Sequence, residues 1–271
     1  MPFVTVNDVK LYYEIHGEGE ETILFSHGLL LNSQMFGAQI NYFKNRYRCV
    51  AYDHRGQGQS ELTETGYDMD TLTEDAVQLI NALQLGSCHI VGLSMGGFVA
   101  MRLAVRYPDL VKSLILLETS ADEEPFVFKY RLLTVIYRLF GAAPIARRIM
   151  KIMFGQNFLN NPVRKAERDK WRMYVEKNPK TIVRAVDGVI DRKPVFDELK
   201  KITAPTLVMV GDQDIATVPA KAERIHSQIP NAQLLILKGA GHSSTIEEPD
   251  QVNSAMDEFL RDLQTEYDAD L

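Results

Sequence analysis

Ten consecutive residues constrain this chain more than any others: Cys88-His89-Ile90-Val91-Gly92-Leu93-Ser94-Met95-Gly96-Gly97. A short apolar run ends in glycine, a serine stands at the point of a turn, and a helical pattern follows from Phe98 to Pro108. In so sharp a strand-to-helix turn the residues two before and two after the serine pass too close for side chains, which accounts for Gly92 and Gly96. Gly97 lets the helix lie close on the strand, and the serine itself is held in a strained conformation. The new helix aims its first N–H groups and its positive end at the space beside the serine.

The rest of the chain repeats the same grammar. Residues 3–7 and 9–17 alternate apolar and polar positions as two strands meeting at Asn7-Asp8. Apolar strands are predicted at Thr22–Ser26, Tyr47–Tyr52, Val111–Leu117, Thr206–Val210 and Leu234–Leu237, with helices over roughly 33–44 (capped by Ser33), 70–83, 219–228 and 249–263. Short apolar strands alternating with helices indicate a mostly parallel sheet covered on both faces. Between the two halves, about eighty residues read as helix throughout, with runs at 130–140, 144–154, 162–177 and 181–189.

Composition sets the class and little more. Of 271 residues 45% are hydrophobic and 24% charged, ordinary values for a globular chain with room for a large core. No apolar run reaches a membrane-spanning length, and the N-terminus carries no basic-then-apolar leader. With only Cys49 and Cys88 there is no disulfide framework, so a reduced, cytoplasmic setting is expected. The net charge of −6 hides an asymmetry: residues 125–200 hold 17 Lys and Arg against 7 Asp and Glu, a net of +10, leaving −16 for the remainder. A basic segment stitched into an acidic body suggests a separate unit, or solvated helix faces of one sign. No metal-ligand spacing, nucleotide loop or basic nucleic-acid motif is present, so no cofactor, metal, nucleic-acid or membrane partner is expected.

A serine hydroxyl needs a base to take its proton, and the base needs a carboxylate to orient it. In a parallel sheet these groups belong in loops at the C-terminal strand ends. The strand before Gly211-Asp212-Gln213-Asp214 and the strand before Gly239-Ala240-Gly241-His242 both empty there. Either aspartate could serve, with Asp214 favoured. Glu118, ending the strand beside Ser94, is a further carboxylate to weigh, and Asp53 with Arg55 reads as a structural turn pair.

With His27-Gly28, the Asp53–Ser60 string Asp-His-Arg-Gly-Gln-Gly-Gln-Ser, the serine turn, Gly211–Asp214 and Gly241-His242, the sequence resembles the α/β-hydrolase family over nearly its whole length. It is most similar to serine hydrolases related to 3-oxoadipate enol-lactonase, non-haem haloperoxidases and small esterases. The resemblance implies a mostly parallel eight-stranded sheet with helices on both faces, forming a core of residues 1–121 and 201–271 with residues 122–200 inserted as a helical cap. It implies Ser94, Asp214 and His242 as the catalytic set and the Leu29 and Met95 amides as oxyanion donors. The sheet order it implies places the 22–26 strand between those of Cys49 and Cys88, roughly 10 Å apart and too far for a disulfide.

The inserted segment is rich in Phe, Tyr and Met, more than helix packing needs, which suggests an adaptable apolar pocket wall. The expected pocket residues are His27, Leu30, Glu118, Phe126, Phe128 and Val218. The segment's positive charge also admits steering of a carboxylate-bearing substrate. The reading is a cofactor-independent serine hydrolase acting on a small-molecule carboxylic ester or lactone with a hydrophobic acyl or aryl part. Carbon–carbon bond hydrolysis and perhydrolysis by the same triad remain alternatives, and behind them a non-catalytic binding module of the same fold.

Overall fold

The computed structural model describes residues 2–269. Among these, β1 (Phe3–Val6) and β2 (Val9–His16) form a hairpin that turns through left-handed Asn7 and Asp8. Then β3 (Thr22–Ser26), α1 (Gly37–Phe43), β4 (Arg48–Tyr52), α2 (Met69–Ala82), β5 (Cys88–Leu93), α3 (Met95–Arg106) and β6 (Val111–Leu117) alternate. Five α-helices follow with no strand between them: α4 (Val127–Phe140), α5 (Ala146–Met153), α6 (Gln156–Asn160), α7 (Lys165–Lys177) and α8 (Val183–Ile190). The chain returns to β7 (Thr206–Gly211), α9 (Pro219–Gln228), β8 (Gln233–Leu237), α10 (Ser244–Glu247) and α11 (Pro249–Ala269).

The eight strands make one sheet in the order β1-β2-β4-β3-β5-β6-β7-β8, antiparallel at the first two pairings and parallel thereafter. Its central strands are buried on both sides, and the two-residue period of a strand sorts their side chains cleanly. Ile23, Phe25, Val91, Leu93, Ile115, Leu117, Leu207 and Met209 join the cluster under α1 and α11. Leu24, Ile90, Leu114, Leu116, Val208 and Val210 join the cluster under α2, α3 and α9. The first cluster runs on without a break into α4–α8 through Tyr137, Met150, Phe154, Trp171 and Val175, so these helices share a core with one face of the sheet. Cys49 and Cys88 are buried, free and separated by β3.

Three expectations shift. Asn32, whose side chain accepts from the Gln34 amide, caps a 3₁₀ turn at Ser33–Phe36, and α1 starts only at Gly37, so Ser33 is not the cap. The run expected at 162–177 begins at Lys165, because Pro162 follows a turn that ends α6 at Asn160. The last helix continues past Leu263 to Ala269.

Candidate active site

Ser94 sits between β5 and α3 with φ 53° and ψ −112°, a left-handed conformation that costs a non-glycine residue about 1–3 kcal/mol. Neighbouring backbone holds it there. Its N–H donates to the Leu117 carbonyl at 2.9 Å, and Thr119 Oγ1 donates to its own carbonyl at 2.8 Å. A Cβ on Gly92 would press on the Gly96 carbonyl oxygen at 2.5 Å, and one on Gly96 would fall on the Ser26 carbonyl oxygen. Both glycines are therefore required by close backbone approach.

The loop after β7 carries Asp214, buried and almost saturated with donors. Its Oδ1 accepts the Ala216 amide at 2.7 Å and the Thr217 amide at 3.0 Å, and Oδ2 accepts the Thr217 hydroxyl at 2.7 Å. His242 Nδ1 donates to the same Oδ2 at 2.8 Å, and Ser94 Oγ donates to His242 Nε2 at 2.9 Å. Serine, histidine and aspartate thus form one continuous relay, drawn from three strand ends. Asp212 instead accepts the Gly239 amide at 2.8 Å on the exposed side, which makes it the turn carboxylate of the pair.

Electrostatics follow from this geometry. Burial raises Asp214, but the His242 charge and the His242 and Thr217 bonds outweigh it, and its carboxyl lies below the ordinary value. Burial lowers His242, yet the Asp214 charge and bond prevail, and the imidazole lies above its ordinary 6.5. The aspartate stays ionised and favours the protonated histidine, the state a base reaches after accepting a proton.

The Leu29 and Met95 amides donate to no protein acceptor among the described residues. A Cβ on Gly28 would lie 3.5 Å from the Ser94 Cβ, so the loop before Leu29 runs beside the serine. Buried Gln57 joins the two segments: its Oε1 accepts the Leu30 amide at 3.0 Å and its Nε2 donates to Met95 Sδ at 3.6 Å.

A cavity of about 250 Å³ opens above Ser94 and His242. Leu30, Phe126 and Val218 line it as expected, joined by Tyr130, Tyr137, Ile149 and Met153. The other three expected pocket residues are elsewhere. His27 lies beneath the turn, fully buried, donating from Nδ1 to the Gly28 carbonyl at 2.8 Å and accepting the His54 amide at Nε2, 2.9 Å. Glu118 is buried behind the relay and accepts the Ser244 hydroxyl at 2.9 Å, and burial together with the Asp214 charge holds its carboxyl well above the ordinary range. Phe128 is 85% exposed because α4 turns it about 200° from Tyr130 and about 180° from Tyr137, the cavity-lining residues of that helix, onto the outward face. A second depression, about 780 Å³, lies at the opposite strand ends around Pro205 and Pro230, and none of the relay groups lines it.

Two positions at the site escaped the sequence. Arg192 lines the cavity with its guanidinium 4.5 Å from the Phe98 ring, paired with Glu124 at 3.2 Å. Glu247, in α10, accepts the Gly241 amide at 3.1 Å and the Ser243 amide at 3.0 Å, clasping the loop on either side of His242. Its Oε2 also accepts the Gly155 amide at 2.7 Å, tying that loop to the start of α6. The sequence signal was an acidic residue soon after Gly241-His242, but its most distant donor is 92 residues away.

The serine turn, the hydrogen-bonded Ser94–His242–Asp214 set and the apolar cavity lie together at the C-terminal edge of a mostly parallel sheet. A profile of the alpha/beta hydrolase fold matches residues 21–249, and the chain belongs to that family. It is 29% identical over 263 residues to 3-oxoadipate enol-lactonase 2 of Acinetobacter baylyi, covering 95% of this chain and 96% of the relative. Among solved structures, a thermophilic esterase from Thermogutta terrifontis is 29% identical with a TM-score of 0.87, each chain covered to 94%. The enol-lactonase of Burkholderia xenovorans is 26% identical with a TM-score of 0.89, covering 96% of this chain and all of that one, 100%. The protein is a hydrolase enzyme of this family.

Proposed function

We propose that the chain hydrolyses a small carboxylic ester or lactone, with residues 122–200 acting as a cap over the site. The observation that carries this reading is the relay, 2.9 Å from serine to histidine and 2.8 Å from histidine to aspartate, at the floor of an apolar cavity. Ser94 Oγ attacks the carbonyl carbon while His242 Nε2 takes its proton, and the oxyanion gathers at the Leu29 and Met95 amides. The carbon–oxygen bond breaks, the departing alkoxide takes the proton from His242, and water releases the acyl group by the reverse sequence. In a lactone the alkoxide stays attached to the acyl chain.

The cavity favours a neutral substrate. Its two cations, Arg192 and Lys221, are already matched by Glu124 at 3.2 Å and Asp122 at 2.6 Å. The space also lies near the small end of ligand sites, which run roughly from 300 to 1,000 Å³. The test is hydrolysis of p-nitrophenyl esters of increasing acyl length beside simple and acyl-substituted lactones. Turnover with a length or ring preference is expected, falling about 10⁴-fold or more in Ser94→Ala. Retention of most of the activity in that variant would overturn the assignment.

A further inference from the structure

On α4, Phe128, Leu132, Val135 and Leu139 are all exposed, Phe128 at 85% and Leu139 at 62%. At 100° per residue they fall within about 60° of one another, a single apolar stripe directed at solvent. The opposite side of the same helix supplies Tyr130, Leu133, Thr134 and Tyr137 to the cavity wall. Phe140, at the C-terminal end of the helix, is also exposed, at 66%. A continuous exposed apolar strip of this kind marks a contact surface.

The charge around it indicates what makes the contact. The next helix, α5, buries Ile149, Met150 and Met153 and exposes Arg147, Arg148 and Lys151, none paired with a carboxylate among the described residues. Lys180 donates to the Leu139 carbonyl at the stripe's end, at 2.8 Å. The net charge over residues 125–200 is +10, against −16 for the rest. Two copies of the chain meeting at this face would set one basic segment against another. A lipid surface bearing anionic headgroups matches both the apolar stripe and the net positive charge of the segment that carries it.

We infer that the outward face of α4 docks on an anionic lipid surface, lying in its headgroup layer with the acidic body turned away. This differs from spanning: no described helix is long and apolar enough to cross a membrane, a fact silent about helices that lie flat. The site joins a net positive segment, which draws the protein to the surface, to an apolar stripe that holds it there.

Full-length protein sedimented with vesicles of phosphatidylcholine alone, or of phosphatidylcholine with phosphatidylglycerol, tests this without reference to turnover. Wild type should pellet with the phosphatidylglycerol vesicles, weakly with the others, and less as salt rises. Phe128→Asp should lower partitioning at least about tenfold, and Arg148→Glu at least about fivefold, with p-nitrophenyl ester turnover of Phe128→Asp unchanged. Failure of wild type to bind either vesicle, or wild-type binding by Phe128→Asp, overturns the inference. A wild-type dimer in sedimentation velocity that Phe128→Asp dissolves, with no vesicle binding, assigns the stripe to a second copy instead.

Discussion

Glu247 offers a quantitative check on the energetics of the histidine loop. Burial pushes its carboxyl from the ordinary 4.5 up to about 7, although the Gly155, Ser243 and Gly241 amides pull the other way. A carboxyl raised in the folded state keeps its proton where the unfolded chain has lost it, so its ionisation opposes folding. The cost is absent in acid, grows as pH climbs from about 4.5 to about 7, and is constant above that. In full it comes to about 3 kcal/mol, of which about 2.5 kcal/mol falls between about pH 5 and about pH 8. Glu247→Gln removes the titration. It also leaves one oxygen where three amides need acceptors, so at least one N–H faces another donor, at about 1–3 kcal/mol that does not vary with pH. The variant should therefore be less stable than wild type near pH 5, with the gap closing by about 2.5 kcal/mol, and even reversing, near pH 8. Glu118 titrates in both proteins and drops out of the comparison, apart from its repulsion by Glu247, which acts in the same direction. Urea unfolding at the two pH values, read as midpoint shifts at constant slope, measures the gap. A gap that stays constant would refute the reasoning.

Two further outcomes follow from the same geometry. Only neutral His242 can accept the serine proton, so kcat/KM should fall as pH drops through a value above 6.5; in Asp214→Asn this limb should move down while kcat falls about 10⁴-fold, and an unmoved limb would count against the relay. Gly96→Ala drives a Cβ onto the Ser26 carbonyl and should cost about 3 kcal/mol or more, whereas Gly37→Ala, with open space around it, should be neutral or stabilise by up to about 1 kcal/mol; equal melting temperatures for the two variants would show that Gly96 is not sterically required.

The fold was legible because its signals are local. β3 and β6 begin and end where the apolar runs do, and the Ser94 turn announces itself through glycines two residues to either side. The order of the strands that feed Ser94, Asp214 and His242 made their meeting foreseeable. What stayed hidden depends on rotation and distance. Phe126 and Phe128 look equivalent as letters, but α4 starts between them, and one lines the cavity while the phase of the helix sends the other to solvent. Ser33 and Asn32 are both capable caps, and the choice turned on a 3₁₀ turn preceding the helix. His27 and Glu118 stand at the right strand ends, but their side chains turn beneath the surface rather than above it. Glu247 needed donors from Gly155, Gly241 and Ser243, a convergence that no spacing encodes.

The Gly155–Glu247 bond also divides the helices above the site mechanically. From Gly155 onward they are fastened down: Arg164 donates to the Ile246 and Glu247 carbonyls, both at 2.7 Å, and Asn178 to the Leu30 carbonyl at 3.0 Å. By contrast, α4 is latched to α8 through Arg131 and Arg138 on Asp187 and Asp191, pairs with exposed partners that are individually weak. Opening the cavity on the α4 side would break these surface pairs and the Tyr137–Asn178 and Lys180–Leu139 bonds, whereas opening it behind Gly155 would break buried bonds to the histidine loop. Salt that loosens the latch should speed admission of substrate, and the base beneath would remain in register throughout.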